Sequence, residues 1–125
     1  MIYEKKSLGE KLRKLRESFQ LSQGQVAEAL NLDRSTYTNY ELDKTRPSLE
    51  TLVKLASIYN VQPVHLLPDI TDSDAVAFRD ATREDGLMRS LNKEERGMIV
   101  FYRSLSRQDK EKLRRQMKGM ISGQE

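Results

Sequence analysis

The 125-residue chain contains no cysteine. That excludes disulfides and thiol chemistry and fits a cytoplasmic setting. Histidine occurs once, at His65, and a lone histidine without cysteine builds no zinc site of the usual kind. Proline and glycine are scarce, three and six residues, and no stretch is of low complexity. Gly9 and Gly24 stand isolated, so no glycine-rich phosphate loop is present. No apolar run approaches the ~20 residues that span a bilayer. The first residues, MIYEKKSLGEKL, lack the apolar stretch of a secretory signal. The serines fall mostly at helix starts and none has a plausible base beside it. These gaps argue against an enzyme, a resident metal or cofactor, and a membrane protein.

What is abundant is charge, 33% of residues against 37% apolar, with a net charge of +3. One modest core is affordable in a chain of this length. The sum says little about partners, because residues 1–69 hold 10 basic and 9 acidic side chains. Distribution says more. Six basic residues and one acid lie between Lys5 and Arg16, and six basic residues and two acids between Arg107 and Lys118. Between Asp72 and Asp85 there are five acids and two basic residues. Read as charge alone, each run is a solvated helix face.

Five short helical segments are expected in the first 69 residues. Ser7 with Glu10, and Ser22 with Gln25, have the spacing of capping boxes. Leu8, Leu12, Leu15 and Phe19 repeat at helical spacing, and Val26, Ala27 and Leu30 form a second inner face. Asn31 suits a left-handed turn residue. Asp33 suits the start of a third helix, which carries Tyr37 and Tyr40 inward. Ser48 starts a fourth, with Leu49, Leu52, Leu55, Ala56 and Tyr59 toward the core. Pro63 opens a very short fifth that packs Val64 and Leu67. Pro68 to Asp72 reads as a boundary. Beyond it lies an irregular apolar pattern (Ala75, Val76, Phe78, Ala81, Leu87, Met88). Two further helices follow, one after an Asn92–Glu95 box and one after Ser106. The expected class is all-α: a five-helix domain over 1–69 and a helical segment over 70–125.

The informative stretch is Gln23 to Leu42, QGQVAEALNLDRSTYTNYEL. A small residue, Ala27, falls where two helices cross, and Asn31 where the chain turns. Apolar or aromatic side chains at Val26, Leu30, Leu32, Tyr37 and Tyr40 hold the helices at a steep angle. The outer face of the second helix is left with Arg34, Ser35, Thr36, Thr38 and Asn39. All can hydrogen-bond, and none is needed to dissolve so short a helix.

With LSQGQVAEALNL, RSTYTNYE and RPSLETLVKLASIYNV, residues 7–67 resemble the Xre family of bacterial and phage regulators, which includes the phage repressors and Cro. The resemblance implies five helices, with the third lying in the major groove of double-stranded DNA. It implies that Arg34, Ser35, Thr38 and Asn39 read bases. It assigns Ser22, Gln23, Thr36, Lys44, Thr45 and Arg46 to the DNA backbone. It also implies a partly buried ion pair between Arg16 and Glu41. Tyr37 departs from the Ile or Val usual at its position. The chemistry agrees, since Arg donates two bonds to guanine and Asn pairs with adenine. A bacterial or phage origin follows from the resemblance as well.

The apolar residues of 91–121 are too many for a solvent tail and too few for a core of their own. They can fold back on the first half, hook a different regulatory protein, or pair with a second copy. Pairing in a homodimer is the expected outcome, through Ile99, Phe101, Tyr102, Leu105, Leu113 and Met117. One module of this size buries only about 600–1,000 Å² on DNA. Two linked modules would read half-sites about 34 Å apart. The leading expectation is therefore a homodimeric repressor on a palindromic operator. An antitoxin that also represses its own operon is the alternative. An adaptor that no longer binds DNA is a third, opposed by the intact polar face.

Overall fold

A computed structural model describes residues 6–81, 88 and 90–123. Lys5, Asp85 and Leu87, named above, lie outside the described residues. The described chain is all helical. Its elements are α1 (Leu8–Ser18), α2 (Gln23–Ala29), α3 (Arg34–Glu41), α4 (Leu49–Tyr59), a 3₁₀ turn (Pro63–Leu66), α5 (Asp72–Ala81), α6 (Lys93–Ser104) and α7 (Arg107–Ser122).

The caps fall where the sequence puts them. Ser7 and Glu10, Ser22 and Gln25, and Asn92 and Glu95 each form a reciprocal capping box. Ser48 and Ser106 accept from Thr51 N–H and Asp109 N–H. Asp33 takes the N-cap position of α3 without a side-chain bond. Between α2 and α3 the chain turns at Asn31, with φ of 57°. Asparagine adopts that left-handed conformation more readily than most side chains.

Two expectations about the core are corrected. Leu49 is 76% exposed, because it lies in the first turn of α4, past the edge of the core that begins at Leu52. Val64 and Leu67 are also exposed, and Leu66 is the buried residue of the fifth segment. That segment is a 3₁₀ turn rather than an α-helix. Its three residues per turn rotate the inward position relative to an α-helix.

The larger difference concerns the second half. The stretch Pro68–Asp72 separates no two cores. Phe78 from α5 and Val100 from α6 belong to the same buried cluster as Leu12, Leu15, Val26, Leu55 and Tyr59. α6 packs against α2 and α4 of its own chain. Three polar bonds fix it there: Gln25 Nε2 to Lys93 O at 3.1 Å, Arg96 Nε to Gln20 O at 3.0 Å, and Arg103 Nη1 to Ile58 O at 3.0 Å. So α6 docks in cis, where the expectation was pairing in trans. α7 behaves differently and has no buried residue.

Asp69, expected at a boundary, is 8% exposed and joins both halves. It accepts from Lys6 N–H at 3.1 Å and pairs with Lys11 Nζ at 2.5 Å. The same ammonium donates to the carbonyls of His65 (3.1 Å) and Leu67 (2.5 Å) and lies 4.9 Å from the centre of the Phe78 ring. Lys11 is therefore not part of a solvated basic face. It is a fully partnered buried cation, as a charge in that position must be.

Candidate nucleic-acid interface

α2 and α3 form the helix-turn-helix, with α1 packed behind α3. Their approach is close. A Cβ on Gly9 would stand 2.4 Å from Glu41 O and 2.7 Å from Tyr40 O, so α1 can meet the end of α3 only without a side chain there. Tyr37 and Tyr40 point inward and meet edge to face, ring centres 6.3 Å apart. The larger Tyr37 is thus accommodated wholly inside.

With the inner face so occupied, the polar residues of α3 turn outward. Arg34 and Ser35 are exposed, and Thr36, Thr38 and Asn39 are half-buried. Ser22 is exposed at the start of α2, with Gln23 half-buried beside it. Lys44, Thr45 and Arg46 are exposed on the loop after α3. That loop is held in shape. Asn39 O accepts from Lys44 N–H at 3.0 Å, and Asp43 takes a left-handed φ of 59°. The Asp43 carboxylate accepts from Ser7 Oγ at 2.6 Å and from Gly9 N–H at 2.9 Å. Asp43 is not among the site residues expected from the sequence. Its tolerance of left-handed backbone was the available signal.

Arg16 and Glu41 form the expected pair with two parallel bonds. Nε reaches Oε2 at 2.7 Å and Nη2 reaches Oε1 at 3.0 Å. Arg16 also donates to Leu21 O at 3.1 Å, which fixes the corner before α2. The pair does not end there. Gln23 Nε2 donates to Glu41 Oε1 at 3.1 Å, and Thr38 Oγ1 donates to Gln23 Oε1 at 3.0 Å. A continuous polar chain therefore runs from α1 to the outer rim of α2 and α3. The ion pair was expected; its extension to Gln23 and Thr38 was not.

Burial by itself would raise the Glu41 carboxyl. The facing Arg16 guanidinium, Tyr37 hydroxyl and Gln23 amide outweigh it and hold the group below its ordinary value of 4.5. Burial pushes the Tyr37 phenol up, so it stays neutral. The folded carboxyl ionises below the unfolded one. Its contribution to stability is therefore complete above about pH 4.5 and is lost as pH falls through the folded value. Glu41→Gln should flatten the acid limb of stability against pH. Urea midpoints between about pH 3 and about pH 7 check this. An unchanged acid limb would show that Glu41 does not titrate as the geometry requires.

The tail residues expected at a partner interface fall into two groups. Ile99, Phe101 and Leu105 are half-buried on α6 and just after it, and Tyr102 is 36% exposed. Leu113 is half-buried and Met117 is 51% exposed on α7. Among the described residues, no group of three His, Cys, Asp or Glu could hold a metal ion, and no helix is long and apolar enough to cross a membrane.

Comparison with known proteins decides the family. The sequence profile of the helix-turn-helix family matches residues 12–66. The SPbeta prophage-derived HTH-type transcriptional regulator YonR of Bacillus subtilis is 32% identical over 97 residues, which cover 75% of this chain and 90% of YonR. The chain belongs to the helix-turn-helix family of transcriptional regulators. The HTH-type transcriptional regulator ImmR of the same organism is 35% identical over 86 residues, 69% of this chain and 63% of ImmR. The cryptic phage CTXphi transcriptional repressor RstR of Vibrio cholerae is 39% identical over 59 residues, 47% of this regulator and 53% of RstR. The match thus spans less than two thirds of ImmR and of RstR. No solved structure matches the regulator.

Proposed function

We propose that this regulator is a repressor, not an enzyme, that binds an approximately palindromic DNA site as a homodimer in the bacterial cytoplasm. The observation that carries the reading is the outer face of α3. Its polar side chains are free of the core while its inner face is locked to α1 and α2. With α3 in the major groove, Arg34, Ser35, Thr38 and Asn39 face base edges. Ser22, Gln23, Thr36, Lys44, Thr45 and Arg46 then lie along the phosphates. The likeness to a phage repressor supports the sign of regulation.

The dimer rests on the apolar surface that the chain leaves uncovered. Leu49 and Val53 of α4, with Leu105, line an open groove of about 570 Å³. Met117, Met120 and Ile121 of α7 are exposed as well. Because α6 is used in cis, α7 carries more of the proposed contact than α6, and Leu113 and Met117 more than Ile99 and Phe101. A second copy covers this surface in our reading. A regulatory partner protein, as in an antitoxin, is the competing occupant.

Selection of bound duplexes from a random pool tests the proposal. The expected product is two inverted half-sites about 34 Å apart, one helical turn or a multiple of it. Solution mass of the full-length chain should be that of two copies at micromolar concentration. A single unrepeated half-site, with a monomeric mass, would remove the homodimer from the account.

A further inference from the structure

Hydrogen bonds have direction, and in the chain from Arg16 to Thr38 both arms donate toward Glu41. Arg16 can donate but not accept, and ionised Glu41 can accept but not donate. Glu41 Oε1 takes a bond from Arg16 Nη2 at 3.0 Å and one from Gln23 at 3.1 Å. Gln23 must therefore present its amino group to Glu41, since its carbonyl oxygen there would face a carboxylate. That orients Gln23 Oε1 toward Thr38, whose hydroxyl lies 3.0 Å away. An amide oxygen only accepts, so the Thr38 hydrogen is spent on it. What Thr38 has left for a ligand is oxygen lone pairs.

We infer that Thr38 meets DNA only as a hydrogen-bond acceptor, so it reads an amino group on a base edge and makes no bond to a phosphate. The inference rests on the proposal that α3 lies in the major groove. Phosphate oxygens accept only, and two acceptors do not bond. The donors on offer in the major groove are adenine N6 and cytosine N4. Thr38 is half-buried at the rim of α3 and ends a chain anchored in the core, so its hydroxyl is directed before DNA arrives. Gln23 and Glu41 act here as positioning residues. They set which atoms Thr38 can recognise.

The test uses the full-length protein and its selected duplex. Replacing adenines with purine, or cytosines with 2-pyrimidinone, one at a time, deletes single amino donors. At one position this should weaken wild-type binding roughly three- to tenfold, the size of one net hydrogen bond. The same deletion should have no further effect in Thr38→Val, which keeps the shape and loses the hydroxyl. In Gln23→Leu the hydroxyl hydrogen is released, and the penalty for the missing amino group should shrink. Coupling of Thr38 instead to a neutralised phosphate (a methylphosphonate), or to a purine N7 removed as 7-deaza, would overturn the inference. So would a selected site in which no amino group couples to Thr38. Failure of wild-type protein to select any sequence would overturn the DNA-reading proposal itself, and the inference with it.

Discussion

Replacing Asp69 with alanine is expected to lower the stability of the chain by about 3–5 kcal/mol, the usual effect of removing one partner of a buried ion pair. The side chains of Lys11 and Asp69 are only 2% and 1% exposed. Without the carboxylate, the Lys11 ammonium keeps two carbonyl acceptors but loses its ion-pair partner. Asp69 also holds Lys6 N–H, and its own N–H bonds Lys6 O at 3.1 Å. The substitution therefore loosens the strand of chain before α1 as well as the link to α5. Denaturant unfolding of the full-length protein measures the loss. Exchanging both partners, Lys11→Met with Asp69→Leu, should recover much of it, because two apolar side chains leave no charge stranded. A loss below about 1 kcal/mol for Asp69→Ala would mean that the pair behaves as a solvated surface bridge.

At the DNA face, Arg34→Ala is expected to weaken binding to the selected site by about 1–3 kcal/mol and to relax the preference at one base pair. Arg34 stands at the first position of α3, exposed and clear of the core. A base contact, such as two bonds to guanine, is a role in which its loss changes sequence preference. Lys44→Ala should act differently, weakening all sequences alike and lowering the salt slope by about one. Lys44 is exposed on a loop anchored by Asn39 O, which suits a phosphate contact. Competition binding on the selected duplex and single-base variants separates the two. If Arg34→Ala weakens every duplex equally, Arg34 is a phosphate contact and the base-reading assignment fails.

The elements of this fold were largely legible because they are specified locally. Ser7, Ser22, Asn92 and their partners three residues on mark helix starts within one turn. Asn31 marks the turn that sets α3 against α2. The Arg16–Glu41 pair followed from resemblance, since nothing local links residues so far apart in the chain. Lys11 was not legible. It sits in a run of basic residues, and its burial depends on Asp69, 58 positions later and beside a proline. Periodicity likewise marked an apolar face on α6 without saying what it meets. Val100, which the expected interface leaves out, fills a place in the core of the first half, and its sequence neighbours Ile99 and Phe101 are half-buried. Leu49 shows the same limit at a helix end, where spacing continues after the core has stopped. The chain from Glu41 through Gln23 to Thr38 was not legible, because polar residues 18 and 15 positions apart carry no local signal that they meet.

The central claim is that the outer face of α3 reads a DNA sequence. Its most direct test is equilibrium binding of the full-length protein to the selected duplex and to a scrambled duplex of the same composition, at one salt concentration near 0.15 M. The account predicts tighter binding to the selected duplex by at least about 10³, the lower end of the range for specific DNA-binding proteins. Equal affinity for the two duplexes would contradict it.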